Sequence, residues 1–257
     1  MSVIEHLAVP MTRKGAFYVR KLPWILGLKS RFKTSVGSLA VPRSLVSPAI
    51  FYHLVNGDYE SPERGLLEKY LSPDDRVIEL GAGIGFLANA YGKRCPGQSH
   101  LAIEASPVMA GLARDNTRHL GNVEVLNALA MKAPESVPFH MYQDFWASSI
   151  EPIHLKNPAR RLVEIVQVRT VNLDDVIAEY RATMLICDIE GGEHDLVRTF
   201  ELNVPKILME LHWPELGISR AVRILRTFEE RGYDLFGSPE VFIAIRRADA
   251  ASVAVRS

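Results

Sequence analysis

From residue 61 onward, short apolar runs alternate with longer stretches whose apolar residues recur every three or four positions. The first pattern suits buried strands and the second suits amphipathic helices. Strands are expected at 75–80, 100–104 and 122–128, with helices at 86–93 and 107–118 between them. Ahead of these, "SPERGLLEKYL" reads as a helix, with Ser61 as its cap and Pro62 in its first turn. An interruption follows: "VPFHMYQDFWASSIEP" and "RLVEIVQVRTV" look like two β segments joined by a polar stretch carrying Pro152 and Pro158. Then come a helix "LDDVIAEY", a strand "TMLICDI", a helix "GEHDLVRTFEL", a strand "PKILMEL" and a helix "GISRAVRILRTFEERG". "YDLFG" and "EVFIAIRR" close the series as a hairpin. Such alternation implies an α/β fold: a mostly parallel sheet with helices on both faces and one antiparallel strand from the hairpin.

Composition narrows the picture only a little. The chain has 257 residues, enough for one large α/β domain with an appended arm. Basic and acidic residues number 30 each, so no global charge calls for nucleic acid, and none is expected as a partner. Cys95 and Cys187 are too few for a disulfide framework or a zinc site, and Cys187 reads as a small buried residue. The beginning of the chain lacks the sustained apolar core of a signal peptide, and no run is long enough to span a bilayer. A cytoplasmic location is the expectation. Charge is nonetheless uneven. Met11 to Arg43 holds eight lysines and arginines and no acid, interleaved with Phe17, Tyr18, Trp24 and Phe32. Such an arm suits either peripheral contact with an anionic surface or packing over the main domain or a partner in a homo-oligomer. The expected division is an arm at 1–45, the main domain at 46–250 and a tail at 251–257.

The chemistry begins at "VIELGAGIGFLA", where an apolar strand runs into glycines and then a helix. A doubly wound sheet binds ligands outside the carboxyl ends of its strands, where the strand order reverses. Dinucleotide enzymes place G-x-G-x-x-G at such a turn. Here Gly81, Gly83 and Gly85 give G-x-G-x-G, Phe86 stands where the third glycine would be, and Glu79 precedes them. A carboxylate beside a pyrophosphate is repulsive, whereas the cationic amino acid end of S-adenosylmethionine tolerates it. The next strand ends at Glu104, followed by Ala105, and a carboxylate there can accept hydrogen bonds from both ribose hydroxyls. The bland alternative for Glu104 is an acid facing the dipole of helix 107–118. Asn127 and Ala128, ending the third strand, are expected beside the adenine; Asn127 also suits a simple turn.

Asp188, Glu190 and Glu193 crowd the end of the fourth strand in "CDIEGGEHD". Glu193 suits the N-terminus of the next helix, which leaves Asp188 and Glu190 as candidates for chemistry. Glu210 and His212 follow the fifth strand in "MELHWP" on the same rim. Asp188 or His212 is the candidate base for an acceptor proton, and Glu210 a candidate acceptor contact. In "YQDFWASSI", Trp146 and Phe145 offer faces for a sugar ring and Ser148 and Ser149 offer hydroxyls; the bland alternative is the core of the inserted β segment.

With these pieces in order, the sequence resembles the FkbM family of S-adenosylmethionine-dependent methyltransferases. "NGDYESPE", "VIELGAGIGF", "AIEASP", "WASSI", "VQVRTVNLDDV", "LICDIEGGEHDLV" and "ILMELH" carry the resemblance. It implies a Rossmann-like class I methyltransferase: a seven-stranded sheet of order 3-2-1-4-5-7-6, with S-adenosylmethionine as cofactor. It also implies methyl transfer to a hydroxyl of a sugar, glycan or other small molecule. Tyr59 and Glu60, from "NGDYESPE", are implied to help close the donor pocket, with Asp188 near the transferring methyl. An Asn/Asp-Pro-Pro-Tyr stretch, usual where base or glutamine nitrogens are methylated, is absent. One alternative follows class I enzymes that hold a divalent metal with acids after strands four and five; Asp188, Glu210 and His212 would be its ligands. A nicotinamide-dependent oxidoreductase and a non-catalytic S-adenosylmethionine-binding module are the remaining alternatives.

Overall fold

A computed structural model describes residues 21–142, 148–150 and 161–249. The chain up to Tyr59 and the chain from Glu60 form two compact units. In the first, β1 (Arg31–Thr34) and β2 (Gly37–Ala40) pair as an antiparallel hairpin, and helix α1 spans Pro48–Asn56. The aromatic residues of the basic segment explain its folding. Trp24 stacks on Phe51 at 4.2 Å between ring centroids, Phe32 meets Phe51 edge-on at 5.0 Å, and the Trp24 indole donates to the Val41 carbonyl at 2.7 Å. Lys29, Arg31 and Lys33 stay exposed on this small core.

The second unit opens with α2 (Ser61–Tyr70). Its cap is Glu60 in the left-handed region at φ 46°, so the expected Ser61 cap is corrected: Ser61 is the first helical residue. Next come β3 (Val77–Leu80), α3 (Phe86–Arg94), β4 (His100–Glu104), α4 (Pro107–Thr117) and β5 (Val123–Asn127). A three-stranded insertion follows, with β8 (Leu162–Val171) between β6 (Leu129–Ala130) and β7 (Ser136–Tyr142). Then α5 (Leu173–Tyr180), β9 (Met184–Cys187), α6 (Glu193–Thr199), β10 (Lys206–Glu210) and α7 (Trp213–Leu216) resume the alternation. The last elements are α8 (Ile218–Glu230), β11 (Tyr233–Gly237) and β12 (Val241–Arg246).

The main sheet has seven strands in the order β11-β12-β10-β9-β3-β4-β5. Numbered within the sheet, that is the expected 3-2-1-4-5-7-6. β3 pairs parallel with β4 on one side and β9 on the other, and β12 is antiparallel to both β10 and β11. Every residue of β3 and β9 is buried, as strands covered on both faces require. One face packs under Leu196, Phe200, Ile224 and Phe228 of α6, α8 and the loop after α6. On the other, Ala102, Ala110 and Ala113 form a thin layer that lets α4 approach closely.

The order reverses between β3 and β9, and there the backbones nearly touch. A Cβ built on Gly81 would lie 1.7 Å from the Asp188 carbonyl oxygen, and Gly81 has φ +82°. Gly81→Ala is therefore expected to destabilise the fold by at least about 3 kcal/mol, through a clash with backbone and a strained φ. Exposed Gly97, with nothing within 4 Å of its Cβ position, should accept alanine within about 0.5 kcal/mol. Chemical denaturation of both variants checks this pair.

Candidate active site

The crevice at this reversal is built from strand ends. After β3 the chain turns at once: Gly81 and Ala82 donate to the Ile103 carbonyl at 2.9 and 3.2 Å, and Gly85 donates to the Ala82 carbonyl at 2.7 Å. Glu104, at the end of β4, holds this turn. Its Oε2 accepts from the Gly83 N–H at 2.9 Å and its Oε1 from the Ser106 N–H at 2.8 Å. Each oxygen keeps capacity for a further donor. Burial raises the Glu104 pKa above the ordinary carboxylate range, opposed by the N–H groups of Ser106, Gly83 and Ala105. Asn127 ties β5 to this edge, its amide donating to the carbonyls of Glu104 and Ala105 at 2.9 and 2.8 Å. Ala128 is buried beside it.

Glu79 lies below the turn, almost fully buried, and accepts a hydrogen bond from the Tyr91 hydroxyl at 2.9 Å. Burial pushes its carboxyl up to about 8 against the Tyr91 bond, and the charges of Asp188 and Glu104 push the same way. At neutral pH, Glu79 is mostly protonated.

Across the crevice, His212 gathers the acids that follow β9 and β10. Its Nδ1 lies 2.6 Å from Glu193 Oε1, and its Nε2 lies 3.3 Å from Glu190 Oε2, 3.5 Å from Asp188 Oδ1 and 3.9 Å from Glu210 Oε1. Glu193 is fully buried, and the same Oε1 accepts from the Gly191 N–H at 3.1 Å. Glu193 opens α6 as expected, and its carboxylate in addition grips the imidazole. Glu63, from the first turn of α2, is also buried and lies against Glu210. Burial is the largest influence on Glu63, Asp188, Glu190 and Glu210. It raises Asp188 and Glu190 to about 7, opposed by His212 and helped by neighbouring carboxylates, and raises Glu210 to about 8. For His212, burial lowers the pKa but loses to the bond from Glu193 and to the surrounding carboxylates, which raise it to about 10.

The structure thus brings Asp188, Glu190, Glu210 and His212 together, and sets Glu79, Gly81, Gly83, Gly85, Glu104, Ala105, Asn127 and Ala128 around the turn. Tyr59 ends the first unit and Glu60 begins the second. Ser148 and Ser149 are tied to β7 instead: Ser148 Oγ accepts from the Tyr142 N–H at 3.2 Å, and Ser149 exchanges backbone bonds with His140. Trp146 and Phe145 lie outside the described residues. Sequence reasoning missed Glu63 altogether, since an acid in a helix's first turn ordinarily faces solvent. It also missed Tyr91 as the partner of Glu79.

A Rossmann-like seven-stranded sheet of this order, with a glycine turn after its first strand, is the architecture of class I methyltransferases. The family model described as "Methyltransferase FkbM domain" matches residues 79–235, and the chain belongs to this family of S-adenosylmethionine-dependent methyltransferases. Two curated relatives are each named probable ribosomal RNA small subunit methyltransferase A. The one from Methanosarcina barkeri (strain Fusaro / DSM 804) is 29% identical over 109 residues, 38% of this chain and 36% of the relative. The one from Methanosarcina acetivorans is 31% identical over 70 residues, 27% of this chain and 25% of the relative. The chain therefore matches 36% of one relative's length and 25% of the other's. Among solved structures, precorrin-6y C5,15-methyltransferase from Geobacter metallireducens GS-15 is similar at TM-score 0.46 and 14% identity, over 81% of this chain and 93% of that one. An O-methyltransferase from Bacillus cereus in complex with SAH is similar at TM-score 0.40 and 14% identity, over 80% and 84%. The Methanococcus jannaschii fibrillarin pre-rRNA processing protein gives 0.45 and 11%, over 68% and 67%. The expectation that nucleic acid is excluded as a partner is corrected by these relatives, two of which are named for ribosomal RNA. Among the described residues, no helix is long and apolar enough to cross a membrane.

The buried Glu79–Tyr91 pair makes a testable demand on stability. Because the folded pKa is raised, folding favours the protonated acid. Its contribution is intact below about 4.5 and declines as pH rises to about 8, at roughly 1.4 kcal/mol per unit of displacement. Glu79→Gln keeps an acceptor for Tyr91 but cannot ionise. Unfolding free energy measured from pH 5 to 8 without donor should fall less steeply in this variant than in the wild type; parallel slopes would reject the assignment.

Proposed function

We propose that this methyltransferase moves the methyl group of S-adenosylmethionine onto a hydroxyl of a sugar, glycan or other small molecule. The observation that carries this reading is the carboxylate rim around His212, facing the crevice beside the glycine turn. The donor's ribose hydroxyls suit the free lone pairs of Glu104, with Asn127 and Ala128 along the adenine. The donor's positive charge suits the space beside Glu104 and Asp188, whose charges add to burial in raising the Glu79 carboxyl. Methyl transfer is an in-line displacement: the acceptor oxygen bonds the methyl carbon as the carbon–sulfur bond breaks, and the sulfur keeps the electron pair. The protein's share is to align the oxygen, exclude water and take its proton.

Asp188 and Glu190, both raised to about 7, suit that proton better than His212, which at about 10 already carries one. His212 is then the positive centre that orients the rim, and Glu210 a hydrogen-bond acceptor for further hydroxyls. Carboxylates also fit a hydroxyl acceptor better than a base nitrogen, whose amino group is usually held by an Asn/Asp-Pro-Pro-Tyr stretch. A second reading, RNA as the acceptor, is favoured by the names of the two Methanosarcina relatives.

Labelled donor offered to sugar nucleotides, glycolipids, free amines and RNA separates these readings. Label on a sugar hydroxyl is the expected outcome, label on RNA alone would establish the second reading, and label on amines alone would refute both. Two variants sharpen the test. Glu104→Ala should weaken binding of S-adenosylmethionine by about 10- to 100-fold in calorimetry, the range of one or two charge-assisted bonds. Asp188→Asn should abolish turnover and leave donor affinity within about threefold.

A further inference from the structure

The first compact unit turns leucines outward from a basic segment. Residues 21–25 are helical, and a Schellman motif closes the turn. Gly27, in the left-handed region at φ +68°, donates to the Trp24 carbonyl at 3.0 Å, and Leu28 donates to the Pro23 carbonyl at 2.8 Å. Trp24 is buried and stacks on Phe51. Leu22 and Leu26 stand one turn apart, joined by the Leu26 N–H to the Leu22 carbonyl at 3.0 Å, and share the face opposite Trp24. That face looks outward: Leu22 is 60% exposed and Leu26 59%. Leu28 holds the position of the motif that ordinarily packs back on the helix, yet it is 78% exposed.

Three outward leucines within seven residues form a patch, unlike the single apolar side chains scattered over an ordinary surface. The hydrogen bonds of the turn present them in fixed positions. Cations stand beside them. Lys29 follows Leu28, and Arg43 donates to the Ile25 carbonyl of the same turn. Arg31 and Lys33 alternate with buried Phe32 and Thr34, so both lie on the exposed face of β1. Lys21, Lys29, Arg31, Lys33 and Arg43 are the lysines and arginines between residues 21 and 59. The one acid in that stretch, Asp58, pairs with His53 at 3.1 Å.

This combination separates the occupants such a patch could take. A phosphate backbone would use the cations and leave the leucines in water. A second copy of the same patch would bring like charges face to face. An anionic lipid surface uses both, because leucines enter the boundary between headgroups and acyl chains while lysine and arginine meet the headgroup charge. We infer that the turn from Leu22 to Leu28, with its basic flank, docks this protein peripherally on an anionic lipid bilayer. The two signals act together, since neither a few leucines nor a few cations alone hold a protein stably at a membrane. The inference does not rest on the methyl-transfer reading.

Cosedimentation of the full chain with vesicles tests it, using phosphatidylcholine alone and phosphatidylcholine mixed with phosphatidylserine. Binding to the mixed vesicles is expected to be at least about tenfold stronger than to the neutral ones, and to weaken with added salt. Leu26→Ser combined with Leu28→Ser, and separately Lys29→Glu combined with Lys33→Glu, should each reduce it by at least about tenfold. Circular dichroism and donor binding check the fold of each variant, and Leu22→Ser replaces the leucine pair should that pair fail to fold. No binding of the wild type to mixed vesicles would overturn the inference. So would binding that the leucine variants leave unchanged, which would mark charge attraction alone. A dimer abolished by the leucine variants, or RNA binding abolished by the charge variants, would overturn it if vesicles are not bound. Vesicle binding without donor binding would sustain it while the methyl-transfer reading falls.

Discussion

The site depends on a contact between two backbones. Where β3 ends and the strand order reverses, the chain must pass so close to the Asp188 carbonyl that only a residue without a side chain fits at position 81. The same approach is fastened by hydrogen bonds, from the Asp188 N–H to the Leu80 carbonyl at 3.0 Å and from Gly81 to Ile103. Three parallel strand ends are thereby locked at one level. The glycine turn, the Glu104 carboxylate and the Asp188 side chain are brought to one crevice by the sheet itself rather than by flexible loops. This is the rigidity that an in-line displacement asks of its scaffold.

Electrostatics then explains why so many acids are tolerated at that level. Glu79, Glu104 and Asp188 are each buried enough to raise their pKa, and the charges of Asp188 and Glu104 raise Glu79 further. Farther along, the acids around His212 do the same, partly relieved by the imidazole. Such a site is poorly matched to a pyrophosphate and better matched to a positively charged ligand. The cost in stability is local and offset by the thoroughly apolar packing of β3, β9 and β10 beneath.

Most of the fold was legible because its signals were local. Gly81 to Gly85 marked the end of β3, the helix expected at 107–118 matched α4, and "LDDVIAEY" coincided with α5. The strand order came from the family resemblance, since no periodicity says which strands are neighbours. Where the reading failed, the cause was a local rule overridden by tertiary contact. Ser61 looked like a cap, yet Glu60 took a left-handed conformation and shifted the helix start. β6 went unnoticed because two residues carry no pattern. Asp188, Glu190, Glu210 and His212 could be grouped because each follows a strand end on the same side of the sheet. Glu63 could not, since its burial depends on what faces it across the fold, and the contact of Glu193 with His212 was equally out of reach.

A crystal structure with S-adenosylhomocysteine tests the central claim most directly. The ribose hydroxyls should lie within hydrogen-bond distance of both Glu104 oxygens, with the sulfur directed toward Asp188 and the His212 rim. A ligand bound outside this crevice, or inside it with its ribose away from Glu104, would contradict the assignment of the donor site and the chemistry built on it.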